Sequence, residues 1–339
     1  MAAGSFDGLP GRIRVSVGTA VVIGLLKGKL DTAPTTAYLM TYRKGKCAAN
    51  CGFCPQAKGS RSRADMLSRI SWPVFRTQQV LGELGRAVKS GTIKRVCVQA
   101  LNYPDAFAHL QNLVKIIHQN AKVRISVSCQ PLNLQNIRSL ADAGAERVGI
   151  PVDAATQELF DKIKGTLTGG PYDWKKQFEL LQNAVDVFGR GKVSTHFIVG
   201  LGETEEEMIS IIQRCVNMGV LPALFAFTPI RGTALEALTQ PSVPSYRRIQ
   251  VARFLILHEL AKASSMRFSD EGNLVDWGLE GETLERAVRS GQPFLTSGCP
   301  DCNRPYYNEK PSGPLYNYPK PLTEKELSET WKELTVSEA

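Results

Sequence analysis

The chain has only four histidines among 339 residues, and no apolar run that reaches the roughly 20 residues needed to cross a bilayer. It also lacks any run of Arg and Lys interleaved with aromatics, so a nucleic-acid stripe is excluded as the source of its basic balance. There is no internal repeat beyond a βα alternation, and no separate domain boundary. Eight cysteines would suit a disulfide scaffold in a small secreted protein, but this chain is too long and, at 43% hydrophobic, too apolar to need such staples. The thiols are read as reduced and the protein as cytoplasmic. The net charge of +9 favours an acidic partner or substrate.

Val15 to Leu26, behind Arg12 and Arg14, imitates a signal peptide but has no small-residue cleavage site before Lys27 and Lys29. A buried helix or strand that plugs the bottom of a barrel is the expectation for this segment.

What the sequence does have is Cys47, Cys51 and Cys54, spaced C-x3-C-x2-C directly after the apolar run Ala37 to Tyr42. Three thiolates hold three corners of a 4Fe-4S cube and leave the fourth iron open to a ligand from solution, which suits catalysis rather than electron carriage. The plainer readings are a structural zinc site, which normally wants a closed set of four ligands, or unrelated core thiols. The stretch Lys46-Cys47-Ala48-Ala49-Asn50-Cys51-Gly52-Phe53-Cys54-Pro55-Gln56 resembles the signature of the radical S-adenosylmethionine (SAM) enzymes, with Phe53 at the family's aromatic position. The resemblance implies a cluster whose open iron chelates SAM, and reductive cleavage of SAM to a 5'-deoxyadenosyl radical.

After the cysteine loop, strand-like runs alternate with helical periodicity. Strands are expected at Ile93 to Gln99, Val123 to Cys129, Arg147 to Val152, Val193 to Val199, Ala223 to Thr228, Met266 to Ser269 and Pro293 to Ser297. Helices are expected over Arg76 to Ser90, around Phe107 to Ile117, and after the cap Asn133. Further helices are read at Tyr172 to Phe188, Ser245 to Ala263, Glu282 to Ser290 and Thr323 to Leu334. Thr204 with Glu207 and Thr323 with Glu326 read as capping boxes, and Cys215 falls on a core-facing helical stripe. Eight units predict an α/β fold, a complete (β/α)8 barrel with its active site where the strands' carboxyl ends meet. On this reading, residues 1–36 form the N-terminal plug, 37–297 the barrel, and 298–339 a C-terminal cysteine-containing loop and helix packed on it. Four tyrosines in the proline-rich stretch Gly298 to Pro319 argue that the loop is ordered.

By the same resemblance, Asp153 corresponds to the carboxylate that holds the SAM ribose, although an Asp here also suits a helix N-cap. Ile198, Gly200, Gly202 and Glu203 are similar to the adenine-contacting motif, with His196 where its first glycine belongs. Residues 35 to 295 resemble biotin synthase. In that family a second iron-sulfur cluster gives up sulfur to a substrate radical, and Cys97, Cys129 and Arg267 match three of its ligands. Ser194 stands where the third cysteine belongs. Cys299 and Cys302, in Cys-Pro-Asp-Cys-Asn-Arg-Pro, form a C-x2-C hook that completes an auxiliary 4Fe-4S set with Cys97 and Cys129; a zinc knuckle is the plainer reading of the hook. Ser194 and Arg267 then line that cluster.

This combination resembles one partner of the two-component lipoyl synthases, and the N-terminal C-x4-C-x5-C motif of the one-component enzymes is absent. The resemblance implies sulfur insertion into an octanoyl chain on a lipoyl carrier protein, first at C8. It also implies a paralogous second enzyme and an electron donor such as ferredoxin or flavodoxin. A biotin synthase-like insertion into dethiobiotin, a radical SAM maturase that does not thiolate, and an electron carrier are the alternatives.

Overall fold

The computed structural model describes residues 8–335; the outer ends of the expected plug and tail, residues 1–7 and 336–339, lie outside the described residues. Its centre is one eight-stranded sheet. The strands are β1 (Arg12–Val15), β2 (Thr36–Thr41), β3 (Val74–Arg76), β4 (Arg95–Gln99), β5 (Arg124–Ser128), β6 (Arg147–Gly149), β7 (Val193–Val199) and β8 (Val220–Ala226). Their spatial order is β8-β7-β6-β5-β4-β2-β1-β3. The six strands from β2 to β8 by way of β4 run parallel, whereas β1 pairs antiparallel with both β2 and β3.

Short apolar strands buried on both faces alternate with amphipathic helices, the pattern that yields parallel βα units. Six such units are present. Helix α1 (Val17–Val22) follows β1, α2 (Thr77–Lys89) follows β3, α3 (Ala106–Asn120) follows β4, and α4 (Leu134–Asp142) follows β5. Helices α5 (Gln157–Ile163) and α6 (Trp174–Phe188) follow β6, α7 (Glu205–Met218) follows β7, and α8 (Val243–Leu257) follows β8. Helices α9 (Gly281–Arg289) and α10 (Glu324–Thr335) complete the chain. The caps sit where the sequence places them: the Asn133 side chain accepts from the Asn136 N–H, and Thr204 and Glu207 close a reciprocal box on α7. Cys215 is fully buried on the core side of α7.

The expected seventh and eighth barrel strands are corrected. Arg267–Phe268 turns back through Gly272 onto Leu274–Asp276 and forms its own two-stranded ribbon, because the turn satisfies its edge locally. Pro293 has no N–H to give a ladder, and Gln292–Phe294 is a 3-10 turn; Leu295 keeps a single bridge to Tyr318. The result is a mostly parallel α/β sheet in which one strand, β1, runs against its two neighbours near one edge. Several short elements had no clear signal in the sequence, among them β1, the three-residue β3, and α5, whose cap is Thr156 rather than Asp153.

The proline-rich tail is ordered by α8. Arg247 donates to the Tyr316 carbonyl at 2.7 Å, Gln250 donates to the same oxygen at 2.9 Å, and Tyr246 packs edge-on against Tyr316. Beside this, Arg248 forms a bidentate pair with Glu205 on α7 at 2.7 to 3.0 Å, and Glu205 also accepts the Leu274 N–H at 2.8 Å. Both charged groups are buried, so removing one strands the other. Arg248→Met is expected to destabilise the protein by about 3 to 5 kcal/mol, and Arg289→Met at the exposed Arg289–Glu285 pair by less than about 1 kcal/mol. Thermal denaturation of both variants checks this; equal shifts would contradict it.

Candidate active site

Seven of the eight cysteines line one cavity of about 260 Å³ at the carboxyl ends of the parallel strands. Alternation along the strands puts their inward residues there: Tyr38 and Met40 from β2, Cys97 and Gln99 from β4, Ser194, His196 and Ile198 from β7, and Ala223 and Phe225 from β8.

Cys47, Cys51 and Cys54 lie on the loop after β2. The loop is fixed by backbone bonds from Cys47 N–H to the Gln56 carbonyl (2.8 Å), from Ala48 N–H to Asn102 (2.7 Å) and from Gly52 N–H to Ile163 (2.6 Å). Cys47 Sγ accepts the Asn102 N–H at 3.2 Å, and the Ala57 N–H donates to the Cys54 carbonyl at 3.0 Å, closing the turn after the last cysteine. Burial pushes the Cys54 thiol up to about 12 and the Cys51 thiol further, so without a metal these are neutral thiols. The donor set fits a cluster. Three inward sulfurs, one of them already accepting a backbone N–H, are the kind of ligands and hydrogen bonding that a thiolate-bound iron site uses. Phe53 lines the same wall.

Asp153, with φ of 72°, projects into the cavity from the end of β6. It is not a helix cap. Its carboxylate is paired with the buried Lys164 ammonium at 2.6 Å. Lys164, which the sequence reading did not single out, is the largest cationic influence on Cys51 and lies 5.2 Å from the centre of the Tyr172 ring. Ile198 lines the cavity, but Gly200, Gly202 and Glu203 do not; they form the turn after β7. Glu203 accepts the Gly200 N–H at 2.6 Å and the Leu201 N–H at 3.0 Å, closing its own turn. Gly200 has φ of 99°, and a Cβ there would meet Pro241 at 2.7 Å, so glycine is required by the fold itself. His196 faces Phe225, and burial lowers its pKa to about 4, so the imidazole is neutral near pH 7.

The second cysteine group is set by sheet register. Tyr38, Cys97 and Ser126 are partners across β2, β4 and β5, so they form one row on one face. The Tyr38 hydroxyl lies 3.3 Å from Cys302 Sγ, and the Ser126 hydroxyl donates to Cys299 Sγ at 3.3 Å. The hook is thereby brought over Cys97. Cys129 lines the cavity from the end of β5 and is almost fully buried. Among the described residues, no three His, Cys, Asp or Glu side chains are close enough to share one ion. Four thiolates on one zinc would lie within ~4 Å of each other, whereas a cluster distributes them over separate irons.

Arg267 is a correction. It is exposed on the ribbon outside the main sheet, paired with Asp276 at 3.0 Å, and does not reach the cavity. The cation beside the second group is instead Arg304, two residues after Cys302. The signal for it was in the hook itself, the Asn-Arg-Pro that follows the second cysteine. Ser194 does line the cavity.

Among the described residues no helix is long and apolar enough to cross a membrane. Biotin synthase of Acinetobacter calcoaceticus is 25% identical over 268 residues, which is 76% of this chain and 76% of that one. Two solved structures share the fold. Methylornithine synthase superposes with a TM-score of 0.51 at 14% identity, over 65% of this chain and 62% of its own. The FeFe-hydrogenase maturase HydG from Carboxydothermus hydrogenoformans gives 0.52 at 15% identity, over 85% and 72%. The sequence model of the radical SAM superfamily matches residues 43–215, from just before the three-cysteine loop to the end of α7's buried stripe, and the chain belongs to that superfamily.

Proposed function

We propose that the protein inserts sulfur into the octanoyl chain of a lipoyl carrier protein, as one partner of a two-component lipoyl synthase that thiolates C8. One observation carries this reading: a second group of thiols, Cys97, Cys299 and Cys302, faces the same cavity as Cys47, Cys51 and Cys54, and Cys129 lines that cavity from the end of β5. When bound, the first cluster supplies the electron that cleaves SAM, and the second supplies sulfide to the substrate. The protein's own residues do the rest. Asp153 offers an oxygen to the SAM ribose and is held in place by the Lys164 side chain at 2.6 Å. Met40, Leu67, Ile198 and Phe227 give the cavity apolar walls that keep water from a reactive carbon centre. His196 is neutral there and adds no charge beside an apolar chain.

The partners on this reading are the octanoylated carrier, a paralogous enzyme for the other insertion, and a ferredoxin- or flavodoxin-type donor. Insertion into dethiobiotin is the second reading, favoured by the biotin synthase relatives. Ser194 weighs against it, because it leaves that family's second site one thiolate short.

The test is anaerobic reconstitution, then mass spectrometry of an octanoyl-lysine peptide and of dethiobiotin incubated with SAM and dithionite. Gain of one sulfur on the peptide supports the lipoyl reading; gain on dethiobiotin alone replaces it with the biotin type; SAM cleavage without gain on either removes both. Wild-type protein is expected to carry about eight irons per chain, four for each cube. Cys47→Ala is expected to abolish SAM cleavage and to lower iron to about four per chain. Cys299→Ala is expected to leave SAM cleavage within about twofold of wild type and to stop sulfur gain. A Cys299→Ala protein that still thiolates would show that the hook is not part of the sulfur source.

A further inference from the structure

Two cations, Lys164 and Arg304, line the cavity, and Lys164 is paired with Asp153 at 2.6 Å. Arg304 lines the cavity, and among the described residues no carboxylate pairs with it. Its guanidinium lies 3.8 Å from the centre of the Phe225 ring and 6.0 Å from that of Tyr307, and it donates to the Leu224 carbonyl at 3.4 Å. A guanidinium stacked on an aromatic ring with one long hydrogen bond keeps N–H groups available to an anion on the cavity side.

The backbone shows where that anion belongs. Arg304 has φ of 31°, and its N–H donates to the Tyr38 hydroxyl at 3.0 Å, the same hydroxyl that lies 3.3 Å from Cys302 Sγ. One tyrosine oxygen therefore fixes both the last cysteine of the hook and the turn that aims the arginine. The groups within its electrostatic reach that become anionic on metal binding are the Cys97 and Cys302 thiols. Thiolate-ligated clusters carry net negative charge, and their potentials respond to nearby charge and hydrogen bonds.

We propose that Arg304 is the counter-charge of the second cysteine group: it lies against the cluster ligated there, stabilises its more negative reduced form and so raises its reduction potential. This rests on the two-cluster reading. A guanidinium suits the task because it keeps its charge when buried, stacks on Phe225 and still offers N–H groups to sulfur.

The test uses full-length, anaerobically reconstituted wild type, Arg304→Gln and Arg304→Lys, with iron and sulfide counts and redox titration followed by electron paramagnetic resonance without SAM. Arg304→Gln is expected to keep its iron while the second cluster's potential moves to a more negative value. Arg304→Lys should move it less, and the first cluster should stay unchanged. An unchanged second potential in both variants would overturn the proposal and leave Arg304 as a residue that packs the tail. So would weakened SAM binding with an unchanged potential, which would assign the cation to SAM. If Arg304→Gln fails to load, the shift in Arg304→Lys at full iron content decides in the same way. Wild-type protein with about four irons per chain would instead refute the two-cluster reading, which is a separate failure.

Discussion

The second thiol group depends on one row of the sheet. Register places Tyr38, Cys97 and Ser126 side by side on β2, β4 and β5, and their side chains share a face because strand residues alternate strictly. Two of the three hold no metal ligand of their own; they are hydroxyls that capture the sulfurs of a segment some 170 to 260 residues away in the chain. A one-residue slip in β4 would turn Cys97 into the helical layer and separate it from Cys299 and Cys302. The antiparallel β1, which pairs with β2 from the other side, widens the surface that locks this register.

Much of this was legible in the sequence. Helix caps act within four residues, so Asn133, Thr204 and Thr323 announce α4, α7 and α10 from local chemistry alone. Strand β7 shows the same, since a short run rich in β-branched residues, Val193, Thr195, Ile198 and Val199, is recognised from local composition. The last two barrel strands misled because a short apolar run looks the same whether it joins a central sheet or a local ribbon. Arg267 failed for the same reason: its correspondence was inherited from a strand position that this chain folds outward. Arg304 and Lys164 were invisible for another reason, because an arginine or lysine in sequence carries no mark of lining a cavity. Only the fold shows that one has a carboxylate beside it and the other has none.

Charge placement separates the two thiol groups. Beside Cys51 the cation that lines the cavity, Lys164, is committed to Asp153. At the second group Arg95 is committed to Glu146 below the sheet row, while Arg304 remains uncommitted above it. In a cavity of low dielectric such an imbalance is not a small matter, because a single unpaired charge is worth far more there than at the surface. The two ends of one cavity are therefore electrostatically distinct before any cofactor enters.

The tail's attachment bears on how such a site is loaded. Metal sites in small proteins often exist only in the folded, metal-bound state, so that binding and folding are one equilibrium. Here the hook is fastened by contacts that do not involve sulfur. Asn303 accepts from the Thr35 N–H at 3.1 Å and donates to the Ala33 carbonyl at 2.9 Å, Arg95 donates to the Pro300 carbonyl at 3.0 Å, and Thr35 donates to the Asp301 carbonyl at 2.6 Å. Further along, Glu309 accepts from both the backbone and side-chain N–H groups of Asn317 at 3.0 Å, and Arg247 holds the carbonyls beside it. The tail thus has enough hydrogen bonds to dock without metal, and the entropy of ordering it is met by the fold rather than by the iron. Cys299 and Cys302 are therefore presented to the cavity on a backbone already in place.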